Sequence, residues 1–155
     1  MGGKGVEDRL RDLGIELPPA TSPVASYVPV VVAGGMAFVS GQIPLVDGKM
    51  LHPGHVGSEV TLEQGQEAAR RCAIQALAAL LAELGSLDRV RKVVKVEVFV
   101  ASAEGFTDQP KVANGASDFL GDVFGDAGKH ARAAVGVAEL PLGASVEVAM
   151  TVEIV

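Results

Sequence analysis

Two segments near the end of the chain alternate between apolar and polar residues, and this pattern limits the fold more than any other feature. In the first, Val90, Val94, Val96, Val98 and Val100 alternate with Arg91, Lys95 and Glu97. In the second, residues 145–155, the apolar side carries Val146, Val148, Met150, Val152 and Ile154. A period of two is typical of strands with one buried face. The chain is therefore expected to contain a sheet whose two faces differ.

The longest helix predicted by the sequence begins at Thr61 and ends near Leu84. Thr61 and Gln64 have the spacing of a capping box, and Gly85 suits the left-handed position after a helix end. The pattern predicts a second helix over 110–124. It also predicts a short amphipathic helix over 5–13, ended by Gly14.

The remaining segments complete the element order β-β-α-β-α-β-β. Strands are predicted over 27–33 and 36–41, with a turn at Gly34–Gly35, and again over 131–138 and 145–155. Residues 45–60 are interpreted as a loop from their Gly, Pro and Asp content. This order predicts an α+β domain with one mixed sheet and both helices on one face. The opposite face would stay uncovered, which favours oligomerisation.

The composition and the net charge of the chain exclude or disfavour several classes of function. The 155 residues suit one domain, and the net charge of −6 disfavours broad binding to nucleic acid. The single cysteine, Cys72, excludes an internal disulfide. The charged N-terminus does not resemble a signal peptide, and the run from Pro18 to Val46 contains too many Pro and Gly residues for a spanning helix. A cytoplasmic protein without membrane partners is expected.

Arg132 and Glu147 are the candidate chemical groups. On its strand, Arg132 shares a face with small residues, Ala134, Gly136 and Ala138. A guanidinium fork binds a carboxylate through two hydrogen bonds, so the pair has the groups to hold a small acid and a water molecule. The structural alternative is a cross-strand ion pair between Arg132 and Glu147, worth about 1 kcal/mol or less.

Several longer motifs resemble the RidA/YjgF family of reactive-intermediate deaminases. They are VSGQIP at 39–44, RVRKVVKVEVFVASAEGF at 89–106 and RAAVGVAELPLGASVEVAMTVEIV at 132–155. The resemblance covers residues 27–155 in order. It implies a chorismate-mutase-like fold, a homotrimer and ligand clefts between subunits. It divides the chain into an N-terminal extension, 1–24, and a RidA/YjgF-like domain, 25–155.

The resemblance also implies a chemistry and its residues. Arg132 would bind the carboxylate of a 2-imino acid, and Glu147 would hold the attacking water. The other implied substrate-binding positions are Tyr27, Ser40, Gly41, Asn114 and Ala134. No metal or organic cofactor is implied. Ala134 stands where many members carry Cys, and the segment before Arg132 is longer than usual, so the cleft rim is expected to differ.

Three hypotheses follow. The first is an imine or enamine deaminase that uses both Arg132 and Glu147. The second is a non-catalytic trimer that binds small carboxylates, with a regulatory role, and needs only Arg132. The third is an RNA-cleaving protein, which the net charge and the scarcity of aromatic residues oppose. His130 is either an acid for the departing ammonia or an exposed side chain. His52 and His55 form at most an incomplete metal site.

Overall fold

The structure is a computed structural model that describes residues 3–23 and 25–155. The helices are α1 (Val6–Asp12), α2 (Leu62–Leu84) and α3 (Gln109–Phe124). The strands are β1 (Val30–Ala33), β2 (Met36–Gln42), β3 (Leu45–Val46), β4 (Lys49–Met50), β5 (Val90–Ala101), β6 (Ala131–Val137) and β7 (Val146–Ile154). The predicted α+β fold with one mixed sheet is confirmed.

The main sheet has the strand order β1-β2-β7-β5-β6. Strands β5 and β6 are parallel, and every other neighbouring pair is antiparallel. Parallel strands need a crossover, and α3 provides it between β5 and β6. Helix α2 similarly connects β2 to β5, and β7 lies between these two strands in the sheet. Because both crossovers run in the same direction and share one hand, both helices lie on the same face.

The core lies between this face and the two helices. Small residues of α2 let it pack closely on its neighbours, and they are buried together with Cys72 (Ala68, Ala69, Ala73, Ala76). A Cβ on Gly115 of α3 would overlap the carbonyl of Gln66, which shows how closely α3 approaches α2. Each fully buried valine of the sheet contributes about 1.5–3 kcal/mol to folding.

The predicted helix boundaries agree closely with the structure. Thr61 caps α2 through a complete capping box with Gln64, and Gly85 ends it at φ 78°. Gly34 and Gly35 both adopt positive φ in the turn between β1 and β2, as that hairpin requires.

Two details of the strands differ from prediction. Residues 45–60 are not only loop, because β3 and β4 form a small hairpin around Asp47–Gly48, both at positive φ. In β5, the register shifts on either side of Val93, so Val93 is buried and Val94 is only half-buried. A β-bulge inserts a residue and reverses which side chains face inward, which a simple alternation count does not reveal.

The N-terminal segment packs on the domain. Leu10 of α1 is 2% exposed within the core, and the Arg9 guanidinium donates to the Val123 carbonyl at 3.2 Å. The Leu87 backbone N–H donates to the Glu7 carboxylate at 2.9 Å. The predicted boundary between extension and domain falls at Val24, which is outside the described residues. Among the described helices, none combines the length and apolarity needed to cross a membrane.

The face of the sheet opposite the helices is uncovered within one chain. Val31, Phe38 and Val135 are each close to half exposed on it. Val31 and Phe38 are register partners on β1 and β2, and Val135 lies on the opposite edge strand, so exposed apolar side chains occur on both sides of this face. Such exposure favours an interaction surface.

Candidate functional site

Arg132 lies on the edge strand β6 and points towards α3. Its register partner is Val96, which is buried under the helices, so the guanidinium lies on the helix-covered face. One terminal nitrogen donates to Asn114 Oδ1 at 2.8 Å and to Ser117 Oγ at 3.0 Å, and the other donates to the Pro110 carbonyl at 3.3 Å. All three acceptors are neutral, so the positive charge is held in place without being neutralised.

The hydrogen bonds of Arg132 continue to His130. His130 Nε2 lies 2.9 Å from Ser117 Oγ, and Nδ1 lies 2.6 Å from the Gly128 carbonyl. A carbonyl accepts only, so Nδ1 carries the proton and Nε2 accepts from the serine hydroxyl. Both ring nitrogens are therefore engaged. This arrangement favours a positioning role for His130 next to Arg132, and a role as an acid for departing ammonia stays a prediction.

We call Arg132, Asn114, Ser117, His130 and the Pro110 carbonyl the arginine cluster. Asn114 was predicted to bind substrate, and in the structure its Oδ1 accepts a hydrogen bond from the Arg132 guanidinium. Ala134 lies beside Arg132 and packs against the core. Next along the strand, a Cβ on Gly136 would lie 2.7 Å from Gln109 Nε2, so α3 closes this side tightly.

Glu147 lies on the opposite face of the sheet. Its register partner on β5 is Phe99, three residues from Val96, and side chains of a strand alternate between faces. Burial raises the pKa of the Glu147 carboxyl above its ordinary value, because desolvation disfavours the charged form. No ion pair involving Glu147 occurs in the part of the chain that the structure describes.

A β-bulge in β2 that contains Ser40 and Gly41 places Gly41 against Glu147. The register shifts between Val39 and Gln42, so two residues oppose one residue of β7. A Cβ on Gly41 would lie 2.5 Å from Glu147 Oε2, so only glycine leaves room for the carboxylate here. Bulges often re-aim side chains next to active sites.

Ser40 and Tyr27 border the same region. The Ser40 hydroxyl donates to the Val28 carbonyl at 2.7 Å, and its backbone N–H donates to the Pro29 carbonyl at 2.8 Å. Tyr27 is 52% exposed and lines a cavity together with Gly41. We call Glu147, Gly41, Ser40 and Tyr27 the glutamate cluster.

One chain does not bring the two clusters together. Strand β5 separates β6 from β7, and Arg132 and Glu147 point to opposite faces. The prediction of a cross-strand ion pair is therefore wrong. The prediction that Arg132 and Glu147 lie close to one hollow is also wrong within a single chain. Residues close in sequence were assumed to be strand neighbours, whereas the chain returns from the edge strand to the centre of the sheet.

The remaining polar candidates lie outside both clusters. His52 pairs with Glu67 at 2.8 Å, and hydrogen bonds with Glu139 and Glu59 raise the pKa of His55. No group of three metal-binding side chains occurs among the described residues. Cys72 is buried, and burial raises the pKa of its thiol, consistent with an inert core residue.

The fold and its two clusters define a chorismate-mutase-like α+β domain. The sequence profile of the family described as "YjgF/chorismate_mutase-like, putative endoribonuclease" matches residues 7–154. Protein TCP17 of Trypanosoma cruzi is 50% identical over 150 residues, which cover 96% of this chain and 94% of that protein. The chain belongs to the RidA/YjgF family.

Solved structures agree with this assignment. The protein Atu1372 of Agrobacterium tumefaciens, described as having unknown function, is 46% identical with a TM-score of 0.91 over 97% of this chain and 92% of that chain. A structure from Shewanella oneidensis, named for an endoribonuclease function, is 31% identical with a TM-score of 0.94 over 97% of this chain and 100% of that chain.

Proposed function

We propose that the protein hydrolyses reactive 2-imino and enamine acids, such as 2-iminopropanoate, to 2-oxo acids and ammonia in clefts between the subunits of a homotrimer. The observation that carries this proposal is the state of Arg132. Three neutral acceptors fix its guanidinium, and no carboxylate pairs with it among the described residues. A positioned, unneutralised guanidinium is the group that recognises a small carboxylate.

The positions of the two clusters support assembly with further copies of the chain. Arg132 lies on the helix-covered face at the sheet edge, whereas Glu147 lies on the open face. A second copy can bring Arg132 next to Glu147, which one chain does not do. The exposed apolar side chains on the open face support this arrangement, because covering them stabilises an oligomer.

Within such a cleft, Arg132 binds the carboxylate of the 2-imino acid. Of its five N–H groups, three are used within the chain, so two are available to the ligand. This contact fixes the imine carbon relative to Glu147 of the neighbouring copy. Fixing the reactants in this way lowers the barrier without covalent chemistry.

Glu147 holds the attacking water and moves its proton. The water oxygen bonds to the imine carbon, the carboxylate accepts a water proton, and the nitrogen receives it. In the carbinolamine, the Glu147 carboxylate then takes the hydroxyl proton and passes it to the nitrogen as the C–N bond breaks, so that ammonia leaves and the 2-oxo acid remains. A carboxyl with a raised pKa suits this exchange, because it gains and loses a proton more readily near neutral pH. The imine carbon is already electrophilic, so these steps need no metal or organic cofactor.

The test generates imines in situ with an amino-acid oxidase and traps them with semicarbazide. Wild type is expected to suppress trapping, and both Arg132→Ala and Glu147→Gln are expected to lose this effect. Arg91→Ala is the matched control, because Arg91 is exposed and lies in neither cluster. Trapping that is unchanged by wild type with every amino acid would contradict deamination.

The same variants separate the alternatives. A non-catalytic carboxylate-binding or regulatory trimer would bind 2-oxo acids through Arg132 and tolerate Glu147→Gln. An RNA-cleaving protein would bind RNA with strong salt dependence, which the net charge of −6 opposes. The cytoplasm stays the predicted compartment.

A further inference from the structure

A small cavity adjoins the glutamate cluster. It has a volume of about 170 Å³ and touches both Tyr27 and Gly41. Its walls are mostly apolar and include Pro29, Ile43, Leu45 and Leu142. Residues 21–23 of the N-terminal segment complete the wall. Because Gly41 also touches the Glu147 carboxylate, the cavity begins beside the proposed reaction centre.

Two buried polar side chains, Gln42 and Gln75, line this cavity, and the Gln42 amide donates to the Ser40 carbonyl at 3.1 Å. Gln75 is the one whose oxygen lacks a partner. It lies on α2 and is 5% exposed, and its Oε1 has no hydrogen-bond partner in the described part of the chain. A buried amide oxygen without a partner destabilises the fold, so such groups usually have a reason to persist. Ser145 Oγ is also buried and unpartnered, but Ser145 does not line the cavity.

We propose that this cavity binds the side chain of the substrate and that Gln75 selects 2-imino acids whose side chain ends in a carboxamide. This inference rests on the proposed function. The apolar walls accept the methylene groups of such a side chain. The carboxamide of Gln75 both donates and accepts, so another carboxamide matches it in full.

Gln75 can engage a ligand without movement of α2. The terminal torsion of glutamine is broad, so its amide turns either atom towards the cavity at small cost. An apolar ligand of equal size fills the same walls but leaves the amide unpartnered. Sites built around a hydrogen bond discriminate strongly against analogues that lack it.

The test compares two pairs of nearly isosteric amino acids, asparagine with leucine and glutamine with methionine. Their imines are generated by an oxidase, and suppression of semicarbazide trapping gives a relative kcat/KM. Wild type is expected to favour the carboxamide member of each pair by about tenfold. Gln75→Met and Gln75→Leu are expected to abolish or reverse this preference. Ser145→Ala, which also removes an unpartnered buried oxygen, is expected to retain it.

Binding of the stable 2-oxo acids of asparagine and leucine is measured by calorimetry in parallel. A wild-type preference for the carboxamide ligand, lost in Gln75→Met, supports the subsite whether or not turnover occurs. Wild type would overturn the subsite if kcat/KM is equal within each amino-acid pair and the affinity for the two 2-oxo acids is also equal. This outcome holds even if both Gln75 variants fail to fold. Turnover of leucine imine without any carboxamide preference leaves the deaminase proposal standing and removes only this one.

Discussion

The arginine cluster and the glutamate cluster place their charged groups in contrasting environments. Arg132 is exposed, and three hydrogen bonds to neutral acceptors fix its direction. Glu147 is half-buried, has no ion pair within the described residues, and has a raised pKa. The first arrangement orients a charge for a ligand, whereas the second favours a carboxyl that exchanges a proton. In the proposed mechanism, ligand binding and proton transfer are therefore divided between the two clusters.

The two clusters also depend on different structural devices. The arginine cluster forms because the crossover from β5 to β6 lays α3 beside an edge strand. The glutamate cluster forms because a bulge in β2 brings a glycine against a central strand. Substitutions are therefore expected to affect ligand affinity in one cluster and the rate of proton transfer in the other.

The largest effect is expected from Arg132→Ala. Each charge-assisted hydrogen bond to a carboxylate contributes about 1.5–3 kcal/mol, so losing two is expected to weaken 2-oxo acid binding about a hundredfold or more. Calorimetry measures this affinity. Arg132→Lys keeps the charge but loses the fork and is expected to recover only part of it. Full affinity in Arg132→Ala would refute carboxylate binding by this cluster.

Gly41→Ala is expected to have the next largest effect. The added Cβ displaces the Glu147 carboxylate, so kcat is expected to fall about tenfold to a hundredfold while 2-oxo acid affinity changes little. Steady-state kinetics separate the two parameters. Gly121→Ala is the control, because a Cβ there meets nothing within 4 Å. Unchanged kcat in Gly41→Ala would show that Glu147 takes no part in the reaction.

Glu147→Gln is expected to change the pH dependence of stability. A carboxyl whose pKa is raised by burial disfavours the folded state once it ionises, so stability declines as pH rises from its ordinary pKa of 4.5 through the raised value. Urea unfolding between pH 4 and 7, at constant protein concentration, measures this slope. The variant is expected to have a shallower decline, and an identical slope would rule out desolvation at this site.

The smallest effect is expected from Ser117→Ala. Arg132 then loses one of three acceptors and its link to His130, so KM is expected to rise a few fold while kcat and thermal stability stay nearly constant. Ser117→Thr retains the hydroxyl and is expected to restore KM. If both variants shift the melting temperature and leave KM unchanged, Ser117 has only a structural role.

Much of the fold follows from local signals. The capping box at Thr61, the glycine turn at Gly34–Gly35 and the alternation in β7 each depend on nearby residues, and each prediction is confirmed. The hairpin β3–β4 also had a local signal, Asp47–Gly48, that was overlooked among the surrounding loop residues. The bulges around Val93 had no local sequence signal, because they depend on pairing with β7.

The site was less predictable, because it depends on strand order. The sequence pattern singled out Arg132 and Glu147 as the candidate groups, but it gave no sign that β5 separates their strands. Ser117 and Gln75 were missed for the same reason. Ser117 lies one helical turn after Asn114. This spacing indicates a second partner for Arg132 only once Arg132 is known to face α3. A glutamine on a helix is usually exposed, whereas Gln75 is buried.

The central claim is that Arg132 of one subunit works with Glu147 of another. Co-expression of Arg132→Ala and Glu147→Gln chains with different tags, followed by isolation of mixed trimers, tests it directly. Neither variant alone is expected to deaminate imines. Each isolated mixed trimer, whichever chain is present twice, pairs an intact Arg132 with an intact Glu147 in one of its three clefts, so about a third of wild-type activity is expected. Mixed trimers as inactive as their parents, in a wild-type protein that is active, would show that each cleft takes both residues from one chain.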